Sequence, residues 1–116
     1  MIRAVLLSIL CATPAVAQNQ AAAAVGGVLR VLDKTTGIVQ DVELRNGEDR
    51  QFGFLNVQLG ECRYLTANPS GDAFELLRIS YRDELVFEGW MIASAPAISA
   101  LQHPRYDVWA LRCIRE

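Results

Sequence analysis

Ser99, His103 and Asp107 recur at intervals of four and supply the nucleophile, base and orienting carboxylate types of a hydrolytic triad. On a helix that spacing would stack the three side chains on one face. Pro104 falls between His103 and Asp107 and breaks such a helix, and no G-x-S-x-G turn lifts a serine out of a strand. The triad is therefore not expected to assemble. His103, the only histidine, is expected to hydrogen-bond its own loop or to pack on Tyr106 or Trp90. Arg105, mid-turn between Pro104 and Tyr106, discriminates two cases: solvent-facing if the loop is only structural, buried and paired with Asp107 if the loop is a rigid, preformed site.

The two tryptophans carry a different chemistry, that of a flat surface on which a glycan or a peptide can stack. Trp109 shares strand parity with Leu111 and Cys113 and is expected in the core beside the disulfide. Trp90 shares its side with Val86, Ile92 and also Glu88, so it is the tryptophan that could face a ligand. Together with Ser94, His103, Arg105 and Tyr106 it makes up the set of candidate binding residues. Asp83-Glu84 is an acidic pair in a turn, where such residues serve local hydrogen bonding. Two cysteines and one histidine at unrelated spacings fall short of a metal site, and no cofactor motif is present.

The N-terminus sets the compartment. Arg3 precedes a short apolar run, residues 4–12 (AVLLSILCA), and Ala15-Val16-Ala17 offers the small residues that a signal peptidase reads, which predicts cleavage after Ala17. The run is about ten residues, half of the roughly 20 that a spanning helix requires, so no stable membrane span is expected after cleavage. Lipidation at Cys11 is disfavoured because Leu10, before it, is not small. Cleavage would leave 99 residues with ten basic and 13 acidic side chains, a single small domain of periplasmic location. Without basic clusters, nucleic acid and anionic membranes are not expected partners.

In an oxidising compartment Cys62 and Cys113 remain as an even pair, and one disulfide is expected. Closing a loop of about 50 residues, it would contribute on the order of 4 kcal/mol. Residues 18–27 (QNQAAAAVGG) are expected to form a flexible leader, and residues 28–116 a single β-domain. Short β-type segments then alternate with turn chemistry. VLRVL and IVQDVELR flank a turn at residues 33–37, and Asn46-Gly47 predicts a hairpin with the strand that resumes at Gln51. In FGFLNVQLGECRY the apolar set Leu55, Val57, Leu59 has the opposite parity to Cys62, which predicts a β-bulge at Gly60-Glu61. AFELLRISY reads as a central strand, LVFEGWMI as its neighbour, ASAPAISAL as one or two helical turns capped by Ser94, and YDVWALRCI as a last strand. The sum is an all-β fold, a small sandwich or barrel of about seven strands with one short helix and one disulfide.

The opening LRVLDKTTGIVQDVELRNGEDRQFGFLNVQLGECRY and the closing GWMIASAPAISALQHPRYDVWALRC together resemble the bacterial family known as domain of unknown function 2155. The resemblance runs from about Leu29 to Cys113 and rests on four motifs: Leu32-Asp33-Lys34 with Gly37; the strand ending in Cys62; Gly89-Trp90-Met91, Ala93-Ser94 and Pro96-Ala97; and His103-Pro104, Tyr106-Asp107-Val108-Trp109 with Cys113. It implies an exported two-cysteine domain of gram-negative bacteria and carries no activity, substrate or site.

The leading expectation is thus a non-enzymatic periplasmic β-domain that binds an envelope protein or glycan through sheet edges or the loop at residues 93–104. A small hydrolase acting on envelope polymers is the alternative, and it would need His103 gathered with Asp107 or another carboxylate in a pocket. An accessory of a larger envelope complex is a third reading, and it would need an exposed apolar patch.

Overall fold

The computed structural model describes residues 20–116, so the expected signal peptide at residues 1–17 lies outside the described residues. Nine strands and one short helix follow in order: β1 Ala21–Ala23, β2 Gly26–Asp33, β3 Val39–Arg45, β4 Asp49–Phe52, β5 Leu55–Leu65, β6 Phe74–Tyr81, β7 Glu84–Ile92, α1 Pro96–Ser99, β8 Leu101–Gln102 and β9 Tyr106–Ile114. One sheet has the order β1-β5-β6-β7, with β4 paired to the opposite end of β5 from β1; the other has the order β3-β2-β9-β8. The all-β fold read from the sequence is present as two packed sheets. The two strands beyond the expected seven, β1 and β8, are three and two residues long, too short to show a period.

Alternation along each strand decides which side chains meet between the sheets. Leu55, Val57, Leu59, Leu77, Ile79 and Met91 from the first sheet pack in one buried cluster with Leu29, Val31, Val42, Leu44, Val108 and Ala110 from the second. Side chains of this size contribute about 1.5–3 kcal/mol each when fully buried, so this inter-sheet layer carries most of the stability. A smaller cluster of Ala24, Cys62 and Ala73 closes one end and is packed by Cys113. There Cys62 and Cys113 form the disulfide, their Cα atoms 5.7 Å apart.

Both cysteines reach the core by the same device. Between Leu59 and Glu61 the pairing of β5 with β6 shifts by one, so Gly60 is the extra residue, as the parity of Cys62 predicts. In β9 the partner of Val28 is Arg112 and the partner of Leu29 is Ala110, which leaves Leu111 as a second bulge. Parity therefore resets just before each cysteine.

That second bulge corrects the expectation for Trp109. Tyr106, Val108 and Ala110 point inward, and Trp109 lies on the outer side of β9 with the Arg30 guanidinium 6.0 Å from its ring. Counting back from Cys113 without the extra residue inverts the strand.

Three further expectations change. The supposed leader is partly structured: β1 pairs with β5, Ala24 is buried, and β2 already starts at Gly26. Small side chains do not keep this segment out of the fold; they allow its backbone to approach the disulfide closely. Asn46-Gly47 makes a turn but no hairpin, since β3 pairs with β2 and β4 with β5. The Gly47 amide donates to the Leu59 carbonyl at 2.7 Å, and Asn46 Nδ2 donates to the Ala24 carbonyl at 2.8 Å, so the turn is anchored to other segments as the chain passes between sheets. Finally, Ser94 is not the cap of α1; that position is Ala95, which makes no side-chain capping bond.

Candidate functional site

The five candidate binding residues separate into two groups. His103, Arg105 and Tyr106 stand at the end of the sandwich remote from the disulfide, where β9 begins. Pro104 turns the chain there, with the His103 amide donating to the Tyr106 carbonyl at 2.9 Å and the Arg105 amide to His103 Nδ1 at 3.1 Å. As expected, His103 hydrogen-bonds within its own loop and its ring packs against Tyr106, 6.3 Å away centroid to centroid; it lies closer still, at 4.4 Å, to Tyr81. Tyr106 is only 2% exposed and belongs to the core, which withdraws it from direct contact with a partner.

Arg105 fits neither of its two anticipated cases. It is half-buried, its guanidinium 5.3 Å from the ring centroids of both Phe54 and Tyr106, and its ion pair is with Asp33 at 3.4 Å. Asp107 pairs with Lys34 instead, at 3.1 Å. Desolvation pushes the Asp33 carboxyl up, but the Thr35 amide and the Arg105 guanidinium outweigh it and hold the carboxyl below its usual range. The end of β2 with the turn after it is thus tied to the start of β9 with the turn before it by two crossed ion pairs, which makes this end a structural joint.

The triad geometry is not present. Ser99 Oγ donates to the carbonyls of Ala95 and Ile92, at 2.8 and 3.2 Å, tying α1 to the end of β7. His103 and Asp107 have the partners given above. Among the described residues no group of three or more His, Cys, Asp or Glu side chains is placed to hold a metal ion. No described helix is long and apolar enough to cross a membrane.

Trp90 and Ser94 lie toward the disulfide end. Trp90 faces away from the inter-sheet core on β7, paired across to Leu76, and is 41% exposed. With Ala21, Leu65 and Phe74 it lines a shallow apolar groove, and the Arg63 guanidinium stands 5.7 Å from its ring. Ser94 lies over the edge of a separate cleft of about 290 Å³, whose walls include Asp72, Arg112, Cys113 and Arg115. Its hydroxyl donates to Asp72 Oδ2 at 2.7 Å and its amide to Asp72 Oδ1 at 3.0 Å, a clamp between two loops.

Beneath that cleft is a residue the sequence reading passed over. Glu75 is completely buried, and no side chain hydrogen-bonds its carboxyl; only the Leu111 amide approaches it, short of good hydrogen-bond geometry. Burial pushes its pKa up to about 8; the Leu111 amide at the bulge favours the charged form and only partly offsets this. The signal was present in AFELLRISY, where Glu75 shares parity with Ala73, Leu77 and Ile79, the inward set. Its space exists because position 27 is glycine: a β-carbon there would stand 2.8 Å from Glu75 Oε1 and 3.2 Å from Cys62 Sγ.

A family model described as an uncharacterized protein conserved in bacteria (DUF2155) matches residues 27–113. The chain is 32% identical over 92 residues to the uncharacterized protein RP359 of Rickettsia prowazekii, an alignment covering 75% of this chain and 59% of that relative's length. No solved structure matches. The matched span begins at the glycine that accommodates Glu75 and closes at the second cysteine of the disulfide, and the chain belongs to this family of uncharacterised bacterial proteins.

Proposed function

We propose that the protein is an exported, non-enzymatic domain of the bacterial periplasm that binds a protein partner in the cell envelope. The observation that carries this reading is the exposed Trp90 in its apolar groove on the outer face of the first sheet, with Arg63 beside it. Tryptophan and arginine are enriched where protein interfaces are strongest, tryptophan because it offers a large contact area for two frozen torsions and arginine because its planar guanidinium stacks and donates several hydrogen bonds. Ser94 lies nearby on the same chain segment, while Tyr106 is buried and His103 and Arg105 are engaged in the far joint.

The test is capture from envelope extracts with the protein as bait, after cross-linking. A single stoichiometric protein whose recovery falls at least about tenfold with Trp90→Ala, and not with Trp109→Phe, is the expected result. Recovery unchanged by Trp90→Ala, or displacement of the bound material by soluble glycan, overturns the reading.

A further inference from the structure

The disulfide end has a build that a purely structural crosslink does not need. Cys62 is completely buried, whereas Cys113 is half-buried and lines the cleft. Arg112 and Arg115 line the same cleft. On the inner side, Glu75 Oε1 and Cys62 Sγ lie 2.8 Å and 3.2 Å from one common point over Gly27, so they are at most 6.0 Å apart. That distance is spanned by direct contact or through one water. A buried carboxyl with no side-chain partner serves stability poorly, since an apolar side chain of the same size would be better tolerated there.

We infer that Cys62–Cys113 is a redox-active disulfide: a dithiol reductant enters the cleft and attacks Cys113, and Glu75 supplies the proton to the departing Cys62 sulfur. In the first step the attacking thiolate forms an S–S bond to Cys113 Sγ while the Cys62–Cys113 bond breaks, and the bonding pair leaves on Cys62. The carboxyl proton of Glu75 passes to that sulfur, giving a thiol and a carboxylate. The second thiol of the reductant then attacks its own sulfur in the mixed disulfide and releases the Cys113 thiolate. The reductant is oxidised by two electrons to its disulfide, the protein gains two, and Glu75 recovers its proton from water.

Each part of the site suits one step. Guanidinium groups in the cleft favour an approaching thiolate. The buried sulfur is the poorer leaving group, because a thiolate is costly in an apolar setting, and it is the sulfur with an acid beside it. Burial keeps Glu75 protonated at neutral pH, which is the form a general acid requires. No charged side chain contributes to that shift; burial and the Leu111 amide are its causes.

The oxidised protein treated with dithiothreitol in native buffer provides the test, with the disulfide followed by alkylation and mass. The expected rate is proportional to reductant concentration and faster than global unfolding. With glutathione, an acid quench traps the adduct on Cys113 and leaves Cys62 as the free thiol. Corrected for the thiolate fraction of the reductant, wild type reduces at least about tenfold faster than Glu75→Gln at neutral pH. The difference closes above about pH 8 as the carboxyl ionises. A rate independent of reductant and equal to that of unfolding, or an adduct on Cys62, overturns the proposal. An identical pH profile in Glu75→Gln removes Glu75 from it.

Discussion

The Oε1 atom of Glu75 on β6 lies 2.8 Å from where a β-carbon of Gly27 on β2 would stand, so the glycine of one sheet makes the space for the carboxyl of the other. Adding that carbon forces Glu75 and Cys62, both fully buried, to shift together. Gly27→Ala is expected to cost about 1–3 kcal/mol by overpacking. Because Glu75 supplies the nearest contact, Gly27→Ala combined with Glu75→Ala should lose less than the two single changes added. Urea unfolding of the double-mutant cycle measures the difference.

Glu75 also sets a pH dependence. Its folded-state pKa of about 8 stands above the ordinary value of 4.5, so the folded chain holds a proton that the unfolded chain gives up between these values. Its contribution is fully present below about pH 4.5 and is lost as pH rises through about 8. At most, stability should fall by about 1.4 kcal/mol per pH unit within that window. Glu75→Gln should flatten this part of the curve, as denaturant midpoints taken across the window will show.

Losing the disulfide should be costly even if it turns over. Cys62→Ser is expected to remove on the order of 4 kcal/mol, since 51 residues separate the two cysteines. For a domain of this size the melting temperature should drop by roughly 15 °C or more. Calorimetry under oxidising conditions gives the number, and reduced wild type should melt near the variant.

At the far end, Asp33→Asn removes the charge that pairs with Arg105 and leaves one acceptor oxygen where the Thr35 amide and Arg105 now use two. Because the folded-state pKa of Asp33 is depressed, its contribution is present above the ordinary value of 3.8 and disappears as pH falls through the folded value. The variant should therefore be less stable than wild type at neutral pH and converge with it in acid. Paired thermal melts at the two pH values provide the comparison.

Alternating patterns located β2, β3, β5, β6, β7 and β9, and the mismatch between Leu59 and Cys62 placed the first bulge, because the period of two leaves no other way to bury both. The second bulge was hidden. Tyr106, Val108 and Ala110 form an acceptable inward set, and so do Trp109, Leu111 and Cys113; only the partner strand chooses between them. Pairing likewise lies outside local pattern: Asn46-Gly47 carries turn chemistry whether its flanking strands pair with each other or separate into two sheets. For the site, the mixed face of Val86, Glu88, Trp90 and Ile92 left the exposure of Trp90 open, and the structure leaves that side chain 41% exposed. Glu75 was missed because a glutamate within a strand is ordinary until its parity is compared with that of its neighbours.

The two bulges act as phase markers for the last stretch of each cysteine-bearing strand. Deleting Leu111 would join the Val28–Arg112 and Leu29–Ala110 pairings into one regular ladder with Cys113 still inward, and deleting Gly60 would do the same for Cys62; straightening either strand with its extra residue kept would instead turn the cysteine outward. The sulfur-to-sulfur link therefore serves as a checksum on the register of both sheets, closing only where each strand keeps the pairing set on the cysteine side of its bulge.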